Sequence, residues 1–318
     1  MTRAIHLVLG PNEFERVATA VAAIGATLAS GAPGAESGDG ALVVVDPMVL
    51  THAPAAPPGA PDVVAAVAAV AALRAFAAAH PGATLAALVG GPHPVTRAML
   101  ADFLEIANVA ALIPHDARDL GDALHALTHA PRFGLDRFAP TARFASEVGM
   151  SDARDALLDA VQAFLAEHGI RARMAAIAGD IIEELITNAL YDAPVDAAGV
   201  RLYADVDRRA PVVLDAAARA HLEVGVVGTT VYATMTDPHG SLEPSAVRRF
   251  LVDGLRGAIS DKPGGAGLGF ARVYGLVDRL AIQVVPRQRT EILIAVETGG
   301  ARRDPSVHPS AFLATVAR

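Results

Sequence analysis

The chain has 318 residues, a formal net charge of −8, no cysteine, no tryptophan and 4% aromatic residues. Disulfides, thiolate nucleophiles and Cys-based metal sites are thereby excluded. The acidic balance, the lack of a Lys/Arg-rich block and the scarcity of stacking rings argue against a nucleic-acid-binding surface.

In chain order, residues 4 to 130 alternate strand-like and helix-like runs. "AIHLVLG" is a short apolar run ended by Gly10 and Pro11, and "NEFERVATAVAAIG" has helical spacing. A weak run, "ATLAS", and a Gly/Pro/Ser-rich loop lead to "ALVVVDP", the clearest strand pattern of this half. A long Ala-rich helix is expected from about Asp62 to His80. It is interrupted by Arg74 and is short of the roughly 20 apolar residues a bilayer needs. "ATLAALVGG", "VTRAMLADFLEIA", "AALIP" and "DLGDALHALTHA" complete the series. Such alternation predicts an open α/β domain over 1–130, with a parallel sheet covered on both faces. No charged segment followed by an apolar one opens the chain, so the expectation is a cytoplasmic protein without membrane contact.

Residues 131–150 lack clean periodicity and read as a connector. From Ser151 the pattern changes. "SDARDALLDAVQAFLAEHG" is an amphipathic helix stopped at Gly169, and a second helix is expected over roughly 171 to 191. Strands are expected at "VRLYADV", "AHLEVGVV" and "TTVYATMTD", the last two joined at Gly228. A helix, "PSAVRRFLVDGL", a glycine loop, "SDKPGGAGLG", and a further helix follow. A hairpin around "RQR" closes this α+β domain near 298, and the tail 299–318 is expected to be loosely ordered.

The helix "GDIIEELITNALYDAP" carries polar residues one turn apart beside its apolar stripe. At 100° per residue Ile181, Ile182, Leu185, Ile186 and Ala189 form the core face. Glu184, Asn188 and Asp192 fall within about an 80° stripe along its edge. They read either as a solvated rim or as a carboxylate and carboxamide set suited to Mg²⁺ and a polarised water. In "TMTDPHGSL", Asp237 stands at a strand end, either as a turn former or as an acceptor for an exocyclic amine. "DKPGGAGLGF" places glycines at 264, 265, 267 and 269 before a helix, an arrangement able to cradle phosphate, with Lys262 as an added charge. Its spacing fits neither the Walker nor the dinucleotide pattern.

Taken in order, "EELITNA", "TDPHG" and "GGAGLGF", followed by "TEILIAV", resemble the nucleotide site of the GHKL superfamily. That superfamily includes the ATP-binding domains of gyrase, heat-shock chaperones, histidine kinases, MutL and the anti-sigma-factor kinases. The resemblance spans about residues 150–297 and implies a Bergerat-type ATP-binding sandwich. It implies ATP with Mg²⁺ as ligand, Asn188 as the Mg²⁺ ligand and Glu184 as the residue that positions or activates a water or acceptor hydroxyl. Asp237 would receive the adenine amino group, with Thr290 near the base. Lys262, Gly265, Gly267, Leu268 and Gly269 would form the phosphate-side loop. Where the family has D-x-G-x-G, this chain has His239 and Ser241, with Gly240 out of phase, so side chains there are expected to crowd a base. At 192, where histidine kinases usually place a basic residue, Asp192 is expected to repel phosphate unless Mg²⁺ offsets it.

The N-terminal half resembles, less specifically, a response-regulator receiver domain, which implies a flavodoxin-like fold. Asp46 falls at the phospho-acceptor position, and reads equally as a strand-end turn residue before Pro47. Pro114 matches the family's Lys-Pro ending, with Ile113 in place of the lysine, and the acidic pair is reduced to Asn12 and Glu13. This implies a degenerate receiver used for protein contacts. A sensor kinase would need an acceptor histidine, but His168 reads as a helix stop. His93, His115 and His239 read as surface or turn residues. The expectation is a signalling protein that binds ATP or ADP and a regulatory protein, with a homodimer left open. It acts either as an anti-sigma-type Ser/Thr kinase or nucleotide-gated switch, or as a non-catalytic scaffold.

Overall fold

The computed structural model describes residues 5–23, 41–51, 63–90, 95–115, 120–129, 134–203, 206–258, 268–300 and 309–316. The chain is a mixed α/β protein and divides into two compact units. The first comprises Met1–Pro131, Leu251–Ala258 and Arg302–Ala314; the second comprises Arg132–Phe250, Ile259–Ala301 and Thr315–Arg318.

The first unit follows the alternation in the sequence: β1 (Ile5–Val8), α1 (Pro11–Ala23), β2 (Leu42–Val45), α2 (Pro47–Leu50), α3 (Val63–Ala79), β3 (Thr84–Val89), α4 (Arg97–Leu104), β4 (Val109–Pro114) and α5 (Leu120–His129). Strands β1 to β4 are parallel and adjacent in that order. All four residues of β2 are buried, as continuous β-branched runs in parallel sheets are. Thr96 starts α4 by accepting a hydrogen bond from the Met99 amide at 3.2 Å. No described helix is long and apolar enough to cross a membrane.

Asp46 ends β2 and caps α2, accepting from the Met48 amide at 2.9 Å. Its other oxygen lies 3.6 Å from Nε2 of His115, which follows β4. Both residues are buried, so His115 is an interior partner of Asp46 rather than a surface residue. The run "ATLAS", Asn12 and Glu13 as side chains, and His93 lie outside the described residues.

The second unit contains β5 (Ala142–Val148), α6 (Arg154–Glu167), α7 (Ala172–Thr187), β6 (Ala220–Val227), β7 (Thr230–Asp237), the part of α8 (Pro244–Leu255) up to Phe250, α9 (Leu268–Leu276), β8 (Arg279–Val285) and β9 (Arg289–Glu297). The strands run in the order β8-β9-β7-β6-β5, each antiparallel to its neighbour. Gly228 (φ 57°) and Arg287 (φ 58°) turn the β6–β7 and β8–β9 hairpins. On one sheet face Leu135, Tyr232 and Ala295 pack with Phe138, whose ring stacks on Tyr232 at 4.2 Å. Met235 and Ile292 stand at the alternate positions. The stripe read from the sequence buries Ile181, Ile182, Leu185, Ile186 and Ala189, and α7 packs on β7 and beside α9.

Four expectations are corrected. The connector 131–150 contains a full strand, β5, paired along its length with β6. Its alternate residues are only half-buried, which dilutes the period-two signal. The tail 299–318 contains β10 (Ala311–Val316), which pairs antiparallel with β4 through Phe312 and Leu313. Over its described residues, 200–203 and 206, the "VRLYADV" run is not a strand. Asp196 folds it into a turn by accepting from the Ala198 and Val200 amides at 2.9 and 2.8 Å, leaving Val200 and Leu202 exposed. The domain boundary at 131 recurs, yet 251–258 and 302–314 belong to the first unit. There Arg256 binds Asp102 and Glu105 at 2.7 and 2.5 Å.

Candidate functional site

The second unit holds a cavity, open to solvent, whose walls come from α7, β7, β9, α8 and α9. Its floor is apolar, formed by Leu185, Ala189, Met235, Phe270 and Ile292, and its polar groups are Asn188, Asp192, Arg201, Asp237, Ser241 and Thr290. A largely apolar concavity with a few convergent polar groups is the usual form of a small-molecule site.

At Asn188 the helix widens from α to π geometry, and the π-turn runs from Asn188 to Asp192. Such turns break the regular ladder and recur at functional sites. Asn188 lines the cavity with its amide nitrogen shielded from solvent and without a hydrogen-bond partner. Thr290, buried at the start of β9, also presents a shielded hydroxyl without one. Shielded polar atoms without partners cost about 1–3 kcal/mol each, so two on one cavity wall mark a place where a ligand or water completes the bonding.

Asp237 pairs with Thr290 in register across β7 and β9. One of its oxygens accepts from the His239 amide at 2.9 Å and the Gly240 amide at 3.4 Å. Burial pushes its pKa above the usual range, partly offset first by the His239 amide. The Thr290 hydroxyl acts on the Asp237 charge as well, at a geometry short of a hydrogen bond. Around Asp237 the two side chains of the altered motif are turned to main-chain carbonyls, with Ser241 still on the cavity wall. The His239 ring turns to the Ala218 carbonyl, with Nε2 at 3.2 Å, and the Ser241 hydroxyl donates to the Ala193 carbonyl at 2.7 Å. Gly240 (φ 59°) packs against the β8–β9 turn: a Cβ there would overlap the Val285 carbonyl oxygen.

Glu184 stands one turn before Asn188 and is half-buried. Burial raises its pKa, opposed chiefly by Arg208 and reinforced by Asp192. Gly269 opens α9 directly against it: a Cβ at 269 would sit within the Glu184 carboxylate. The first and third sequence motifs therefore meet in space. Lys262, Gly265 and Gly267 lie outside the described residues, as does the Leu268 side chain.

Asp192 does not face the cavity as a bare charge. Nη2 of Arg208 donates to both its oxygens at 2.9 Å. This partner, and Arg201 on the cavity wall, escaped the sequence reading because neither falls in a motif. Among the described residues no three His, Asp or Glu side chains converge as a metal-binding group. The Asn188 carboxamide fits one cation ligand, with the others left to bound anion and water, as Mg²⁺ sites commonly arrange. His168 accepts its sequence role as a helix stop, its Nδ1 2.7 Å from the Phe164 carbonyl at the end of α6. The chain matches no protein-family model and no curated protein.

Proposed function

We propose that the second unit binds ATP with Mg²⁺ in this cavity, in the manner of GHKL ATP-binding domains. The observation that carries the reading is the convergence of the three sequence motifs on one cavity. Asn188 and Thr290 line it with unpartnered polar atoms, Asp237 closes one end, and Glu184 lies against Gly269.

Asp237 accepts from the His239 and Gly240 amides through one oxygen, and a carboxylate at this place suits an exocyclic amine as donor. The Asn188 carboxamide oxygen would hold the cation, whose charge would offset that of the phosphates. Glu184, whose affinity for a proton is raised by burial, orients the attacking water or hydroxyl. Positioning and charge neutralisation do most of such work. The products are a protein-kinase or slow ATPase turnover, or a nucleotide-gated change in the unit's binding surface.

The first unit suits a protein-contact role. Its order β1-β2-β3-β4 is compatible with four of the five strands of a flavodoxin-like sheet. Its Asp46 carboxylate is occupied by the Met48 amide and faces His115, which favours the degenerate-receiver reading. A regulatory protein is the partner this implies, and a scaffold role without turnover is the second reading.

Calorimetric titration of Mg-ATP into wild type and Asp237→Asn tests the proposal. Micromolar binding abolished by the substitution supports it. No heat at millimolar ATP refutes it and leaves the scaffold reading.

A further inference from the structure

Strand β5 ends the sheet of the second unit. Its inner edge pairs with β6 without a register break from Ala142 to Val148, and among the described residues no strand pairs with its outer edge. Every second backbone N–H and C=O of an end strand points outward, a template for another strand unless a proline or a bulge blunts it. β5 has neither. It carries two charges instead, and they are of opposite sign.

On one face α6 packs over the strand: Ala142, Phe144 and Ser146 are half-buried, and the Phe144 ring lies 6.0 Å from that of Phe164. On the other face Arg143, Ala145 and Glu147 are exposed. Arg143 binds Asp136 at 2.6 Å and approaches Glu223 at 3.8 Å, while Arg219 binds Glu147 at 2.9 Å. Such solvent-facing pairs are individually weak, so both side chains remain able to share a further partner.

The seven residues of β5 are centred on Ala145, with Arg143 two positions before it and Glu147 two after. This pattern is self-complementary in antiparallel pairing. A two-fold axis through Ala145, perpendicular to the sheet, sets Arg143 opposite Glu147 of the second copy and Ala142 opposite Val148 of the second copy. The whole strand is then paired, with the small Ala145 side chains meeting at the axis. Moving the axis to Arg143 or Glu147 sets like charges opposite each other, as parallel pairing in register does, and directly opposed like charges are destabilising. Moving it to Phe144 or Ser146 leaves both charges opposite uncharged residues and the strand ends unpaired. Charge and strand length thus select one register.

We propose that the outer edge of β5 is the interface through which two copies of this chain pair, antiparallel and centred on Ala145. The two copies bury the same strand against each other, as a closed two-fold contact requires. Across the seam the charges alternate, from Asp136 through Arg143 to Glu147 and Arg219 of the second copy. Nothing in this pairing depends on what the cavity binds. A seam of one strand edge is small, so a dissociation constant of about 1–100 μM is expected.

Sedimentation equilibrium of the full chain over a concentration series tests the pairing. Arg143→Glu and Glu147→Arg each turn both cross-seam pairs into like-charge pairs, and each is expected to weaken the dimer at least tenfold, roughly. An equimolar mixture of these two variants restores opposite charges at both pairs and is expected to recover a heterodimer about as tight as the wild-type dimer. Mixing does not repair a folding defect, so recovery isolates the seam from the loss of the contacts with Asp136 and Arg219. Ala145→Lys, which leaves those contacts in place, sets two ammonium groups together at the axis and should also yield monomer. A wild type that stays monomeric up to about 500 μM overturns the proposal. So does a dimer indifferent to all three substitutions, or a mixture that stays monomeric.

Discussion

The carboxylate of Glu184 occupies the space that a side chain at Gly269 would need. Residues 85 positions apart in the sequence (269 − 184) thus share one volume, and the glycine is required by contact rather than by backbone freedom. Gly269→Ala should displace Glu184 and act as a catalytic lesion. Expected are a stability loss of about 1–2 kcal/mol, the lower range of overpacking, and turnover reduced about as far as in Glu184→Ala. Nucleotide affinity should change far less. Steady-state phosphate release with parallel calorimetry reads both quantities, and full turnover in Gly269→Ala would show that the contact is incidental.

Burial raises the folded-state pKa of Glu184, so the folded chain holds this proton more tightly than the unfolded chain. Stability from this group is therefore present at low pH and is lost as pH rises from the ordinary carboxylate range through the raised value. Glu184→Gln should stabilise the ligand-free protein near pH 7 by about 0.5–2 kcal/mol, in keeping with relief of a functional-site cost. The gain should shrink as pH falls through the raised value and be largely gone below about pH 4.5, where both states of the wild type are protonated. Chemical denaturation across pH checks the sign, and a gain that grows on acidification would contradict it.

His239 stands where a GHKL domain would have glycine, yet its ring is turned to the Ala218 carbonyl. His239→Gly should therefore leave nucleotide affinity within about threefold, less than 1 kcal/mol. A large gain in affinity on this substitution would mean that the ring does obstruct the base in solution.

Gly240 combines φ 59° with a backbone contact at the β8–β9 turn, where a Cβ would also lie 2.8 Å from the Arg287 and Gln288 nitrogens. Neither strain can relax cheaply, since both involve main chain. Gly240→Ala should cost about 2 kcal/mol or more, visible as a lower denaturation midpoint. Gly199→Ala, at φ 85° with open space around it, should cost only the backbone share.

The sequence by itself determined what periodicity and local chemistry can carry. The buried stripe of α7 and the parallel β1–β4 order need only an apolar pattern and short connections, and both are as expected. Of the residues singled out by the three motifs, Asn188, Asp237 and Thr290 line one cavity, and Glu184 and Gly269 are in contact with each other.

What only the tertiary structure decided depends on partners that no local window contains. Strand β5 is half-exposed and β10 follows a Pro- and Arg-containing stretch, so neither shows a strong alternation; long-range pairing with β6 and β4 makes them strands. Asp192 changes from a repulsive charge to a bound one because Arg208, 16 residues on, reaches it from a loop. The His239 ring turns to the Ala218 carbonyl and Gly240 leaves no room for a Cβ for the same reason: a side chain's direction depends on neighbours supplied from elsewhere in the sequence.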